Sequence, residues 1–267
     1  MSLAPDPVEV VQGDSPVILG LPHTGTWLPD DILARLNERG RTLADTDWHV
    51  ERLYDGLLPG ATTVRATFHR YVIDANRGPE DESLYPGQNT TGLVPITDFD
   101  GHPIWTEEPS PEDVAGRLAR FHAPYHAALS AEIERVRAKH GVAILYDCHS
   151  IRSVIPFLFD GVLPDFNIGT ANGTSCAPAI EAAAQEVAAA TGRSWVVNGR
   201  FRGGWTTRHY GRPQDGVHAI QMELAQSTHL ATEAPPFDLD PAKAGAMRKP
   251  LGEILQRLAD LAPTLKA

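Results

Sequence analysis

Val142-Ala143-Ile144-Leu145-Tyr146-Asp147-Cys148-His149 is an unbroken apolar run that ends in an acid, a thiol and an imidazole. A short run of this kind, entered from Gly141, reads as a buried strand. Three other runs share the design: Val17-Ile18-Leu19-Gly20-Leu21-Pro22 leads into His23, Tyr71-Val72-Ile73-Asp74 into Asn76-Arg77, and Ala219-Ile220-Gln221-Met222 into Glu223. In open α/β sheets ligands bind just beyond the carboxyl ends of the strands, so two His, an Arg and a Glu placed there can meet in one cleft. Two imidazoles, a carboxylate base and a guanidinium are the parts of a metallohydrolase acting on an acidic substrate.

Around these runs the chain alternates between the two periodicities. Residues 61–67 and 194–197 read as further strands. Helices are expected over 29–37, after Asp47 on the spacing of Val50, Leu53, Tyr54 and Leu57, over 111–139, 177–190 and about 241–261. In the helix over 111–139, Leu118, Phe121, Tyr125, Leu129 and Ile133 recur on one face and Gly141 follows its end. Residues 78–111 turn to Gly, Pro, Thr and Asp without periodicity, and so long a structureless segment reads as a functional loop. Residues 198–211 and the turn-rich 167–174 also read as loops. Neither a repeat nor a linker is visible, so residues 1–267 are expected to form a single α/β domain.

The composition narrows the chemistry. With 23 basic against 34 acidic residues the formal charge is −11, which argues against nucleic acid or an anionic membrane surface as partner. A small anionic substrate must then meet a local basic pocket. No apolar stretch is long enough to span a membrane, and Met1 to Val10 lacks the basic start and apolar core of a signal peptide, so a cytoplasmic location is expected. Cys148 and Cys176 are too few for a thiolate metal site, which leaves His and carboxylate as ligands; Cys148 reads as a small packed residue.

His23 and His149 are therefore the first metal candidates, because zinc or another divalent ion is commonly held by His with Asp or Glu, leaving one position open for water. The third ligand is sought in Asp45-Thr46-Asp47-Trp48-His49-Val50-Glu51, and Asp47 is chosen; the alternative is that Asp45 or Asp47 caps the following helix. Glu223, at an apolar strand end, is suited to take a proton from a water activated by the ion. Asn76 and Arg77 offer an amide beside a planar fork, the arrangement that reads a carboxylate, against the alternative of an ion pair with Asp74, Glu80 or Asp81. Arg152, three positions after His149, and Arg202 and Arg208 on the Gly-hinged stretch 201–210 are further cations for a second carboxylate.

Several segments together resemble the N-formylglutamate amidohydrolases, which are distantly similar to the zinc carboxypeptidases. They are Leu-Pro-His-Thr-Gly (21–25), Asp-Thr-Asp-Trp-His-Val (45–50), Ile-Asp-Ala-Asn-Arg (73–77), Asp-Cys-His-Ser-Ile-Arg-Ser (147–153), Gly-Thr-Ala-Asn-Gly (169–173), Arg-Gly-Gly-Trp-Thr-Thr-Arg-His-Tyr-Gly (202–211) and Gln-Met-Glu-Leu (221–224). The resemblance implies a phosphorylase/hydrolase-like mixed sheet flanked by helices. It also implies zinc-dependent hydrolysis of N-formyl-L-glutamate to glutamate and formate, a step of histidine degradation. Carried over residue by residue, it puts the zinc on His23, a nearby carboxylate and His149, the carboxylate clamp on Asn76-Arg77 and the base on Glu223. The carboxypeptidase acid stands three residues after the first His, where this chain has Thr26, so the acidic ligand is displaced. Two rivals remain: an amidohydrolase for another N-acyl amino acid or small peptide, and a non-enzymatic dicarboxylate-binding protein.

Overall fold

A computed structural model describes residues 4–83 and 87–265. The strands are β1 (Val8–Val11), β2 (Val17–Leu21), β3 (Thr62–Ala66), β4 (Ala143–Ile151), β5 (Phe166–Gly169), β6 (Trp195–Val197) and β7 (Val217–Ala225), and the helices are α1 (Asp30–Arg35), α2 (Val50–Tyr54), α3 (Pro111–Arg117), α4 (Ala123–His140), α5 (Pro178–Ala190), α6 (Trp205–Tyr210) and α7 (Pro241–Leu261). One mixed sheet has the order β1-β3-β2-β4-β7-β5-β6, with β3, β2, β4 and β7 parallel, β1 antiparallel to β3, and β5 antiparallel to β7 but parallel to β6. Among the described residues, no helix is long and apolar enough to cross a membrane.

Strand alternation decides what each face carries. Leu19 and Leu21 of β2, Tyr146 and Cys148 of β4, and Met222 and Leu224 of β7 pack against α2, α5 and α7. Ile18, Leu145 and Ala219 point the other way, onto Tyr125, Leu129 and Ile133 of α4. Continued toward the carboxyl ends, this second face carries Asp147 and His149 on β4 and Gln221 and Glu223 on β7. The register sets His149 directly beside Glu223. Both strands are buried along all nine residues, so these polar groups enter the core from within continuous strands rather than from loops after them.

The helix expected over 111–139 is real but interrupted. Ser110 and Asp113 form a capping box at its start and Gly141 ends it with a left-handed φ of 76°. Between α3 and α4 the chain makes one π turn, Leu118–His122. Pro124 lies just beyond it; with no N–H to donate and a ring that crowds the carbonyl four residues back, it loosens the helix there.

Other expectations need correction. Residues 71–74 are not a strand: 70–72 form a turn and 73–74 are irregular. Their backbone groups find partners outside any ladder: Arg117 donates to the Tyr71 and Val72 carbonyls, and the Asp74 N–H donates to the Leu93 carbonyl. The stretch 167–174 begins inside β5, and 198–211 contains α6. Strand β1, a short edge strand, was not anticipated. Residues 78–110 hold neither helix nor strand among those described, as expected of a loop; residues 84–86 lie outside the described chain.

Candidate active site

His23 lies two residues past β2, and Asp47 is tied to it through its backbone, the Asp47 N–H donating to the His23 carbonyl at 3.1 Å. His149 arrives from β4. The three side chains are buried, and ligand atoms from all of them lie within 4.8 Å of one another. Both imidazoles turn Nδ1 toward the same Asp47 oxygen: the distance is 3.7 Å from His23 and 3.1 Å from His149. Each Nε2 meets a second acid, His23 with Asp74 Oδ1 at 2.7 Å and His149 with Asp147 Oδ1 at 3.1 Å. A carboxylate behind an imidazole fixes its tautomer and raises its basicity as a ligand. Two Nδ1 atoms and one carboxylate oxygen at this spacing, each ring held from behind, fit a divalent ion such as zinc.

Asp45 and Asp47 do not cap α2. That helix starts at His49, which has a left-handed φ of 63° and no side-chain cap. Asp45 accepts instead from the Tyr71 hydroxyl (2.8 Å) and the Phe99 N–H (2.9 Å), joining two loops, and burial raises its pKa to about 7. Burial also opposes charge on Asp47 and Asp74, yet both are held below the usual carboxylate range, Asp47 by His149 and His23, Asp74 by Arg70 and His23. His149, likewise disfavoured as a cation by burial, is raised well above the ordinary imidazole value by Asp147 and Asp47. A pocket that draws positive charge onto its imidazoles is one that attracts a cation.

Glu223 stands apart from this set. Burial pushes its carboxyl up to about 8. Gln221 donates to Glu223 Oε2 at 3.0 Å and accepts from the Gly204 N–H at 2.7 Å, so the base is oriented through the start of α6. Gly204 is required for a different reason from ligand approach: a Cβ there would fall 2.3 Å from Asn76 Nδ2. Asn76 in turn accepts from the Thr206 N–H (2.9 Å) and sets its amide nitrogen 3.1 Å from His149 Nε2.

These residues open on one cavity lined by His23, Asp47, Asn76, Arg77, His149 and Glu223, with Arg70 and Arg200 as its other cations and Asn89, Thr90, Thr91 and Phe99 supplied by the long loop. Arg77 Nε donates to the Thr91 carbonyl at 2.9 Å, and no ion pair joins it to Asp74, Glu80 or Asp81 among the described contacts. Arg152, Arg202 and Arg208 are not brought to the cavity wall. Arg152 pairs with Asp100 (3.0 Å), while the Nε groups of Arg202 and Arg208 donate to the Gly199 and Gly203 carbonyls. Asp74, Asp147, Arg70, Arg200 and Gln221 were not singled out from the sequence. Asp74 and Asp147 stand within segments quoted there, two positions before Asn76 and His149, but only ring orientation gives them a role.

A buried two-histidine, one-aspartate cluster beside a carboxyl whose pKa is raised by burial, at the carboxyl edge of a mixed α/β sheet, has the composition of a hydrolase site. Residues 15–230 match the family model for N-formylglutamate amidohydrolase. The chain is 48% identical over 92% of its length to an N-formylglutamate deformylase of Pseudomonas aeruginosa, covering 94% of that protein, and 47% identical over 92% to one of Pseudomonas putida, covering 93%. The crystal structure of an N-formylglutamate amidohydrolase from Ralstonia eutropha superposes with a TM-score of 0.83 at 23% identity, covering 97% of this chain and 99% of that one. A gene product of Agrobacterium tumefaciens superposes at 0.74 with 19% identity over 96% of each, and these two likenesses speak for the fold. The chain belongs to the N-formylglutamate amidohydrolase family.

Proposed function

We infer that the chain hydrolyses N-formyl-L-glutamate to L-glutamate and formate with the help of one divalent metal ion, zinc by the chemistry of the donors. The observation that carries the metal is the meeting of His23 and His149 Nδ1 on Asp47, with Asp74 and Asp147 behind the two rings. The reaction itself is taken from the deformylases that the chain matches at 48% and 47% identity.

His23, Asp47 and His149 would hold the ion. Bound there, it supplies Lewis acidity, polarising a carbonyl oxygen and lowering the pKa of water toward neutrality. Glu223, ionised at the moment of attack, takes the proton of the attacking water and delivers it to the departing amine. Its raised pKa suits both halves of that transfer, since a base that is too weak cannot take the proton and one that is too strong cannot return it. Arg77, fixed on the Thr91 carbonyl, presents its remaining N–H groups to a substrate carboxylate, and Asn76 holds the clamp against His149. A place in histidine degradation and a cytoplasmic location belong to the same reading.

The test is product release from N-formylglutamate, N-acetylglutamate and N-formylaspartate run side by side. Formate from N-formylglutamate at the highest kcat/KM supports the reading. Preference for the acetyl compound moves the chain to another N-acyl amidohydrolase, and turnover of none of the three with tight diacid binding makes it a binding protein.

A further inference from the structure

The cavity wall holds three guanidinium groups, and they are differently engaged. Arg70 is committed to the acids around the cluster, with Nη2 2.6 Å from Asp74 and Nη1 3.9 Å from Asp47. Arg77 and Arg200 are anchored elsewhere, on one short strap of the long loop. Arg77 donates to the Thr91 carbonyl, and Arg200 Nη2 donates to the Asn89 carbonyl, both at 2.9 Å. Carbonyls two residues apart can be separated by at most about 7 Å of chain. Two cations anchored on one strap and lining one cavity match a substrate with two carboxylates.

The two ends of the pair are distinguishable. Arg77 adjoins Asn76, whose amide touches His149, so it belongs to the end where the scissile amide must lie. Arg200 is held by other elements than Arg77. It follows β6, its Nε donates to the Leu158 carbonyl at 2.9 Å, and its guanidinium lies 5.3 Å from the Phe201 ring centroid. A side chain clamped between two loop carbonyls and an aromatic ring has little freedom left to lose when it meets an anion.

We propose that Arg200 determines specificity by binding the side-chain carboxylate of the substrate, while Arg77 binds the carboxylate next to the amide nitrogen. This rests on the deformylase reading and assigns within it the position that Arg152, Arg202 and Arg208 do not reach. Arg200 touches only the part of the substrate that distinguishes glutamate from its neutral isostere.

The experiment compares wild type, Arg200→Gln, Arg200→Lys and Arg77→Ala on N-formylglutamate and N-formylglutamine, scoring formate. Wild type should strongly prefer the acid. Arg200→Gln should lose roughly 10²-fold in kcat/KM on N-formylglutamate, with little change on N-formylglutamine, so that the preference collapses. Arg200→Lys should keep part of it through its charge, and Arg77→Ala should fall on both substrates alike. Retained turnover of N-formylglutamine shows that the variant is folded, which a merely structural Arg200 could not combine with a lost preference. An equal loss on both substrates, or an unchanged ratio, overturns the assignment. A wild type that releases formate from neither compound contradicts the deformylase reading and the assignment together, whereas active wild type with an unmoved ratio contradicts the assignment alone.

Discussion

His23 and His149 each lie against two acids, sharing Asp47 and meeting Asp74 or Asp147 behind, and this double engagement suits the buried imidazoles to the ligand role proposed for them. Removing the acid behind a ring leaves the ligand in place but loose. Asp74→Asn and Asp147→Asn should therefore weaken metal affinity by about 10–100-fold while the protein still folds, measured by competition with a chromogenic chelator. Unchanged affinity in both would mean that the rings are held by packing alone. Glu223→Gln is nearly the same size but cannot accept a proton; it should retain the metal and lose about 10²–10⁴-fold in kcat with a modest change in KM. Activity near wild type would remove Glu223 as base. The residues that the structure gathers at the cavity were legible where they end apolar runs: His23, His149, Glu223 and Asn76-Arg77. Asp47 is chosen from a segment with three acids, Asp45, Asp47 and Glu51, and only the fold separates it from Asp45, which joins loops instead. The distant cations were not legible, because Arg152, Arg202 and Arg208 lie as near in sequence to the proposed residues as Arg200 does, and their directions depend on loop path.

The element that sequence periodicity misread is also one the site depends on. Residues 71–77 carry Asp74, Asn76 and Arg77, yet they pair with no strand; side chains of the interrupted helix hold them. Arg117 takes two carbonyls, His122 lies 2.8 Å from the Arg77 carbonyl, and His126 lies 2.8 Å from the Ala75 carbonyl and 3.1 Å from the Tyr210 hydroxyl. The π turn before α4 sits among these three residues. The apolar run at 71–73 reports burial, and burial without a ladder is possible whenever side chains satisfy the backbone. Helix 111–139 was legible by its apolar face and by Gly141 past its end, whereas the π turn depended on Pro124 and on what the turn must reach. His126→Ala strips a partner from a buried carbonyl and should cost about 1–3 kcal/mol in urea unfolding, with kcat/KM falling as well. His126→Gln should recover part of both. Equal stability of the alanine variant and wild type would show that the 71–77 segment is held by other means.

At the scale of the whole molecule, the fold keeps several imidazoles neutral in its interior. Burial lowers His126 to about 3 and His229 to about 4, and His69 falls well below its usual value. Because these folded-state values lie beneath the unfolded one near 6.5, the unfolded chain takes up protons first as the pH drops. The stability they permit is fully present above about 6.5 and is lost progressively as the pH falls from there toward 4 and below. The thermal midpoint should decline over that window, and His229→Gln should flatten the decline; an equally steep slope in the variant would assign the acid sensitivity elsewhere. Metal acts on the same equilibrium from the other side, since an ion bound only by the folded chain raises the midpoint. The central claim is metal-dependent deformylation at the His23, Asp47 and His149 cluster. Its most direct test is formate release from N-formylglutamate by protein stripped with a chelator, before and after one equivalent of zinc, with elemental analysis on the same samples. The account predicts that activity disappears with the metal and returns with one ion per chain. Undiminished formate release from fully stripped protein would contradict it.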